Sequence, residues 1–212
     1  MRKGLLLLMA TFTIASAPAA AAPVRLVAFG DSLTTGFNLP RPDSFAAKLE
    51  TALKAKGYDV TVTNAGVSGD TTSAGLARLD WSVPKGTDAV IVELGANDML
   101  RGIDPEIARK NLTEILTRLK ARGLPVLLAG MRAAPNLGAD YQRQFDAIFP
   151  ELAAQFGVPL YPFFLEGVAG DRGLNQQDGL HPTAAGIDRI VASILPSVEQ
   201  LLAHVKQKQA AQ

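Results

Sequence analysis

The sequence predicts a three-layer α/β/α domain built on a five-stranded parallel sheet. Short apolar runs alternate five times with segments of helical periodicity, and this alternation is typical of parallel strands joined by crossover helices. The third run, residues 88–94, is almost entirely apolar, as expected for a strand that is buried on both faces. Polar loops that contain glycine follow the first three runs. In open α/β sheets, ligands bind at such loops.

Each predicted element has a local signal. Apolar and β-branched runs predict strands over residues 24–29, 58–64, 88–94, 126–129 and 158–161. The second strand alternates apolar and polar residues, which favours an edge position. Apolar residues at helical spacing predict helices over residues 44–56, 72–79, 105–122, 141–156 and 183–205. Asp43 and Asp104 are the predicted N-caps of the first and third helices, and a helix break is predicted near Pro150.

The first 22 residues have the layout of a secretory signal peptide. A basic start, Met1 to Lys3, precedes an apolar run and an alanine-rich segment with several Ala-x-Ala frames. The apolar run is too short for a permanent membrane span, although an uncleaved anchor is the alternative. We therefore expect residues 23–212 to form one exported domain, in the periplasm or secreted, without a stable membrane anchor.

Composition excludes several classes of function. The formal net charge is +1 and there is no cysteine, so neither a basic nucleic-acid surface nor disulfide or thiolate chemistry is predicted. No histidine and carboxylate cluster has metal-ligand spacing, and there is no phosphate-binding glycine motif. We predict no metal and no cofactor, and we expect a monomer, although no pattern specifies the oligomeric state.

The stretch from Phe29 to Gly36 is the strongest candidate for a reactive turn. It reads Phe-Gly-Asp-Ser-Leu-Thr-Thr-Gly directly after the first strand. A serine in such a turn has a fixed backbone, and its hydroxyl can face a ligand. Ser32 becomes a nucleophile only with a base, a residue that orients the base, and donors for an oxyanion.

Two histidines are the candidates for the base. His204 lies in the last predicted helix near a polar tail, which fits a surface residue. His181 ends the segment Asp178-Gly-Leu-His181, just before that helix. An acid three residues before a histidine can reach its Nδ1–H in a tight turn and leave Nε2 free for the serine. The alternative is an ordinary capping loop.

Taken together, four segments resemble the motifs of the GDSL, or SGNH, hydrolases. They are Gly30-Asp31-Ser32-Leu33, Gly69 in the loop of residues 64–72, Gly95-Ala96-Asn97-Asp98, and Asp178-Gly179-Leu180-His181, in the order of the family. Within the family the chain is most similar to small periplasmic bacterial enzymes that act as arylesterases, acyl-CoA thioesterases and lysophospholipases. The resemblance covers about residues 24–202 and implies a flavodoxin-like fold.

The resemblance also implies a role for each motif residue. Ser32 would be the nucleophile, His181 the general base and Asp178 the acid that orients it. The backbone amides of Ser32 and Gly69 and the side-chain amide of Asn97 would form the oxyanion hole. The family commonly has glycine where this chain has Ala96, a small change that leaves Asn97 in place.

The substrate follows less directly from the sequence. Large apolar residues flank the motifs and suggest an acyl or aryl pocket; they are Leu33, Met99, Leu100, Ile103 and Met131. We therefore expect a small-molecule ester or thioester substrate. A carbohydrate acetylesterase is the runner-up within hydrolases. The competing class is a non-catalytic flavodoxin-like binding protein, whose first turn would hold a flavin phosphate.

Overall fold

The sheet is parallel and has five strands, as the sequence predicts. A computed structural model describes residues 22–210. The strand order is β2-β1-β3-β4-β5, with the strands β1 (Val24–Gly30), β2 (Val60–Gly66), β3 (Ala89–Glu93), β4 (Val126–Ala129) and β5 (Leu160–Tyr161). The predicted edge position of β2 and central position of β3 are confirmed. The strand order reverses between β1 and β3, which places the switch point of this sheet beside the serine turn.

Helices cover both faces of the sheet. They are α1 (Ser32–Thr35), α2 (Phe45–Ala55), α3 (Thr72–Ser82), α4 (Ala96–Leu100), α5 (Pro105–Ala121), α6 (Ala139–Phe156) and α7 (Ala184–Ala210). Helix α2 packs against α7, while α5 packs between α3 and α6. The short helices α1 and α4 directly follow β1 and β3. The predicted three-layer fold is confirmed.

Two local predictions are wrong. Ser44, not Asp43, caps α2, because Asp43 belongs to a short 3₁₀ turn and Ser44 Oγ accepts the Ala47 amide. No break occurs at Pro150, and α6 runs unbroken from residue 139 to 156. Buried side chains on both sides of the proline, Phe149 and Leu152 among them, hold this helix against the core. Packing there outweighs the lost backbone hydrogen bond.

The carboxyl ends of the strands lie in one row. Gly30 of β1 pairs with Gly66 of β2 and with Glu93 of β3, and Glu93 pairs in turn with Ala129 of β4. The loops after β1 to β4, which carry Ser32, Gly69, Asn97 and Met131, therefore leave the sheet at the same level.

Two glycines permit close packing at these strand ends, Gly66 against the backbone of the serine turn and Gly30 against β3 and the Thr34 side chain. A Cβ on Gly66 would lie 2.5 Å from the Thr35 nitrogen and 2.7 Å from the Asp31 carbonyl oxygen. A Cβ on Gly30 would lie 2.6 Å from the Glu93 carbonyl oxygen. Since backbone atoms cannot yield as a side-chain tip can, only glycine fits at either position.

The predicted signal peptide, residues 1–22, lies outside the described residues apart from its last position. Within residues 22–210, no helix combines the length and the apolarity that a bilayer crossing requires.

We predict that Gly66→Ala destabilises the protein by about 1–3 kcal/mol, as overpacking of a filled core does. Gly173→Ala is the control, because its Cβ would meet only the tip of the Asp171 side chain, at 3.3 Å. Urea unfolding of the two variants measures the difference. An equal cost for both would show that the contact at Gly66 does not constrain the turn.

Candidate active site

Ser32 is the first residue of α1 and is held by the residue before it. The carboxylate of Asp31 caps the helix and accepts the Leu33 amide at 3.0 Å. Gly36 ends the helix in a left-handed conformation with φ 80°. Ser32 is largely buried, with 8% of its surface exposed. The turn therefore fixes the serine backbone and aims Oγ towards the loop that carries His181.

A continuous line of hydrogen bonds joins three predicted site residues. The Ser32 Oγ lies 2.9 Å from His181 Nε2. On the other side of the ring, His181 Nδ1 lies 2.7 Å from Asp178 Oδ2. Serine and histidine are 149 positions apart in the chain, so the fold alone brings them together. This is the geometry of a Ser-His-Asp triad.

The turn that carries the acid and the histidine is organised by its own backbone. Asp178 Oδ1 accepts the amides of Leu180 at 2.9 Å and His181 at 3.0 Å. The backbone bond from His181, followed by its side chain, lowers the pKa of Asp178 to about 2. Asp178 is thus a carboxylate at neutral pH. The Phe37 ring packs on His181, with the ring centroids 4.4 Å apart.

Asn97 lies beside the serine turn and is oriented by Asp31. Its Nδ2 donates one hydrogen bond to Asp31 Oδ2 at 2.9 Å, which leaves the second Nδ2 hydrogen available. Within residues 22–210, the backbone amide of Ser32 has no hydrogen-bond acceptor, and neither has that of Gly69. Gly69 has φ 85°, and its carbonyl accepts the Arg101 guanidinium at 2.7 Å.

A cavity of about 350 Å³ opens at this site and is mainly apolar. Ser32, Asn97 and His181 are among its lining residues. Its walls include four of the five residues predicted for an acyl pocket, namely Leu33, Met99, Leu100 and Met131, together with Phe163, Leu165 and Leu180.

Ile103 and Gly69 are not among the lining residues. The placement of Ile103 corrects the sequence-based expectation. Its carbonyl accepts the Tyr141 hydroxyl at 2.8 Å, which ties the end of this loop to α6, and its side chain lies outside the cavity. Gly69 contributes backbone groups only.

Comparison with known proteins agrees with this geometry. A model of the GDSL-like Lipase/Acylhydrolase family matches residues 28–189. Esterase TesA of Pseudomonas aeruginosa is 39% identical over 183 residues, which are 86% of this chain and 91% of that protein. The chain belongs to the GDSL-like lipase/acylhydrolase family.

Two further relatives extend this family assignment. Thioesterase 1/protease 1/lysophospholipase L1 of Escherichia coli K12 is 40% identical over 164 residues, or 77% of each chain. The crystal structure of AlinE4, an SGNH-hydrolase family esterase, has a TM-score of 0.73 and 48% identity, and the match covers 87% of this chain and 99% of that one. The protein is therefore an SGNH-type ester hydrolase, and the fold and family predicted from the sequence are confirmed.

Sequence reasoning missed a buried acid beneath the site of this GDSL-family protein. Glu93 ends β3 and is fully buried. Its Oε2 accepts the Thr34 hydroxyl at 2.8 Å, and its Oε1 has no partner within residues 22–210. Burial and the nearby Asp31 carboxylate raise the pKa of Glu93 well above its usual value. The sequence feature that could have indicated this residue is a single acidic residue at the end of an otherwise apolar strand.

Asp31 is the second buried acid and sits between Glu93 and Asn97. Burial raises the pKa of Asp31 to about 6, while its bonds to Leu33 and Asn97 oppose this shift. Two carboxyl groups so close together in an apolar site do not both ionise readily. The serine turn therefore rests on two buried acids whose pKa values are both raised.

The raised pKa of Glu93 predicts a pH-dependent effect on stability. A buried acid with a raised pKa stabilises the fold fully below its unfolded pKa of about 4.5 and loses that contribution as pH rises. Glu93→Gln removes this loss. We expect the difference in melting temperature, Glu93→Gln minus wild type, to be more positive at pH 8 than at pH 4.

Glu50 provides the matched control, because its shift has the opposite sign. Bonds from Lys54 and from the Val62 amide lower the pKa of Glu50, so its contribution is present at pH 8 and lost as pH falls. Glu50→Gln should therefore cost more stability at pH 8 than at pH 4. The same pH trend in both variants would contradict the raised pKa of Glu93.

Proposed function

We propose that this enzyme hydrolyses carboxylic esters and thioesters with apolar acyl or aryl groups through an acyl-Ser32 intermediate. The observation that carries the proposal is the hydrogen-bonded line from Asp178 through His181 to Ser32. Flavin binding does not require a hydrogen-bonded aspartate, histidine and serine.

The first step is attack by Ser32 Oγ on the substrate carbonyl. Nδ1–H of His181 donates to the ionised Asp178, so Nε2 presents its lone pair to the serine hydroxyl. As Oγ bonds to the carbonyl carbon, its proton passes to Nε2. Asp178 stays ionised throughout and stabilises the resulting imidazolium.

The negative charge of the tetrahedral intermediate then needs donors. The amides of Ser32 and Gly69 and the free Nδ2 hydrogen of Asn97 would supply them, since each lacks another acceptor within residues 22–210. Such preorganised donors stabilise a developing oxyanion strongly in a partly buried site. Asp31 contributes indirectly, by fixing the orientation of the Asn97 amide.

Collapse of the intermediate releases the alcohol or thiol. His181 returns its proton to the leaving oxygen or sulfur, which leaves an ester on Ser32. Water then enters, His181 takes one of its protons, and the acyl group leaves as a carboxylic acid while Ser32 regains its hydrogen. The atoms balance with no metal or redox group.

The lining of the cavity supports the substrate class. Apart from the catalytic groups and Arg132, its walls are chiefly aliphatic and aromatic side chains. Medium or long acyl chains and aryl esters suit such a surface, whereas a sugar acetate favours polar groups and stacking platforms. The thioesterase and lysophospholipase named among the relatives support thioesters and lysophospholipids as substrates.

The proposal includes export from the cytoplasm. The basic, apolar and alanine-rich segments of residues 1–22 support export with removal of that segment. The enzyme would then act outside the cytoplasm, as a monomer on small-molecule substrates, without nucleic acid.

Ser32→Ala tests the nucleophile. Turnover of p-nitrophenyl butyrate should fall by several orders of magnitude, because only binding and the oxyanion donors remain. The melting temperature should stay close to that of wild type, since within residues 22–210 the Ser32 hydroxyl makes no hydrogen bond other than the one with His181. A rate within tenfold of wild type would remove Ser32 from the mechanism.

Asn97→Ala tests the oxyanion hole. Loss of one donor should lower kcat by about 10²–10³ with little change in KM. The measurement is steady-state kinetics on the same ester. An unchanged kcat with a raised KM would make Asn97 a ground-state binding residue instead.

Acyl-chain length tests the pocket. Each buried methylene contributes up to about 0.8 kcal/mol, so kcat/KM should rise about fourfold per methylene until the cavity is full. Leu100→Ser should flatten this rise. Ile107→Ser is the control, because Ile107 is as exposed as Leu100 (47% against 49%) but lies outside the cavity. A wild-type enzyme that is fastest on acetate would favour the acetylesterase alternative.

A further inference from the structure

Arg78 lies under the loops that carry two of the proposed oxyanion donors. It projects from the middle of α3, and its side chain is 8% exposed. Burying a guanidinium is costly unless its donors are paired. The partners of this residue therefore indicate what the buried charge does.

Four of the five N–H groups of Arg78 have acceptors, which lie on β1, on β2, in the loop after β2 and on α3 itself. Nη2 donates to the Gly30 carbonyl at 2.7 Å, and Nη1 donates to the Ala65 carbonyl at 2.8 Å and to Ser82 Oγ at 2.9 Å. Nε donates to the Asp70 carboxylate. One planar group thus bridges the ends of β1 and β2 and the loop after β2.

These acceptors flank the two backbone donors. Gly30 is two residues before Ser32, and its carbonyl also accepts the Val67 amide at 3.1 Å. Asp70 is the residue after Gly69. The peptide that joins Gly30 to Asp31 is held on its other side too, because the Asp31 amide donates to Glu93 Oε2 at 3.4 Å. Arg78 therefore connects the two chain segments that deliver the Ser32 and Gly69 amides.

We propose that Arg78 is a positioning residue that sets the spacing between the Ser32 and Gly69 amides of the oxyanion hole. The inference rests on the proposed function of these amides. A guanidinium suits the task, because its rigid fork fixes several acceptors at once, whereas lysine offers a single flexible point charge. Small displacements of oxyanion donors reduce the rate steeply, since their effect depends on preorganisation.

Asp70 allows a milder test than loss of the arginine. Asp70→Asn removes the charged link to the Gly69 loop and leaves the Arg78 bonds to Gly30 and Ala65 in place. It leaves no large cavity, so the protein should fold even where an Arg78 variant is too unstable.

Arg122 provides the matched control. Its Nη2 donates to the carbonyls of Val83 at 2.7 Å and Pro84 at 3.1 Å. It thus bridges backbone carbonyls as Arg78 does, but just beyond the far end of α3 and away from the site. Arg122 is exposed whereas Arg78 is buried, so Arg122→Lys controls for the loss of an arginine–carbonyl bridge and not for the burial of the charge.

The experiment compares Arg78→Lys, Asp70→Asn and Arg122→Lys below their melting temperatures. Kinetics on p-nitrophenyl butyrate, the inhibition constant of an aryl boronic acid and the melting temperature are measured for each. The boronic acid forms a tetrahedral anion on the serine and so reports the oxyanion hole. Since the donors are displaced and not removed, kcat should fall about 10- to 100-fold in the first two variants, less than for loss of a donor.

The accompanying readouts separate positioning from stability. KM should stay within about twofold, boronate affinity should fall by nearly the same factor as kcat, and the shape of the pH–rate profile should not change. Arg122→Lys should lower the melting temperature only. A kcat within twofold of wild type in folded Asp70→Asn, or an equal kcat loss in Arg122→Lys, would overturn the inference.

Ser32→Ala, measured in parallel, separates this inference from the proposed function. If Ser32→Ala is inactive while Asp70→Asn and Arg78→Lys keep wild-type kcat, only the role of Arg78 is wrong. If Ser32→Ala stays active, the proposed oxyanion hole fails, and the inference fails with it.

Discussion

The active site depends on the register of three parallel strands. Gly30, Gly66 and Glu93 stand side by side at the carboxyl edge, and the serine turn is packed directly onto them. The absence of a side chain on Gly66 permits backbone contact with the turn, and its absence on Gly30 permits close contact with Thr34 and with the Glu93 backbone. The positions of Ser32, Asn97 and Gly69 follow from this register, because the loops that carry them leave the sheet within a few residues of that row.

The carboxyl groups at this edge of the sheet have two different roles. Asp178 lies near the surface, accepts backbone amides and has a pKa lowered to about 2, so it can stabilise a protonated His181. Asp31 and Glu93 are buried under the turn, and burial raises the pKa of both. They act as scaffold acids, which cap α1, orient Asn97 and hold Thr34. Environment alone, not residue type, separates these roles.

Much of the site was predictable because its signals are local or few. Strand β3 is apolar, only two histidines exist, and the Asp178 spacing identifies which of them can serve as base. Ile103 lies outside the cavity, and no local signal in the sequence indicates that its carbonyl accepts the hydroxyl of Tyr141, 38 residues later. The Asp43 cap was wrong because two adjacent residues can both cap a helix, and only the 3₁₀ turn selects Ser44.

The partners of the supporting residues could not be predicted from the sequence for a related reason. Arg78 meets the Gly30 carbonyl across 48 positions, and Glu93 meets Thr34 across 59. Neither pairing produces a periodic pattern or a motif in the sequence, because the fold brings the two residues of each pair together. Motifs therefore identify the residues proposed to react, while the residues that hold them in place emerge only from the fold.

The most direct test of the account is covalent trapping of the nucleophile. An alkyl fluorophosphonate should modify the enzyme with one equivalent, and peptide mass mapping should place the phosphonyl group on Ser32. His181→Ala should slow this labelling strongly, since the serine then lacks its base. Labelling of a different serine, or an enzyme that hydrolyses esters yet remains unmodified, would contradict the assignment of Ser32 and His181 as one catalytic unit.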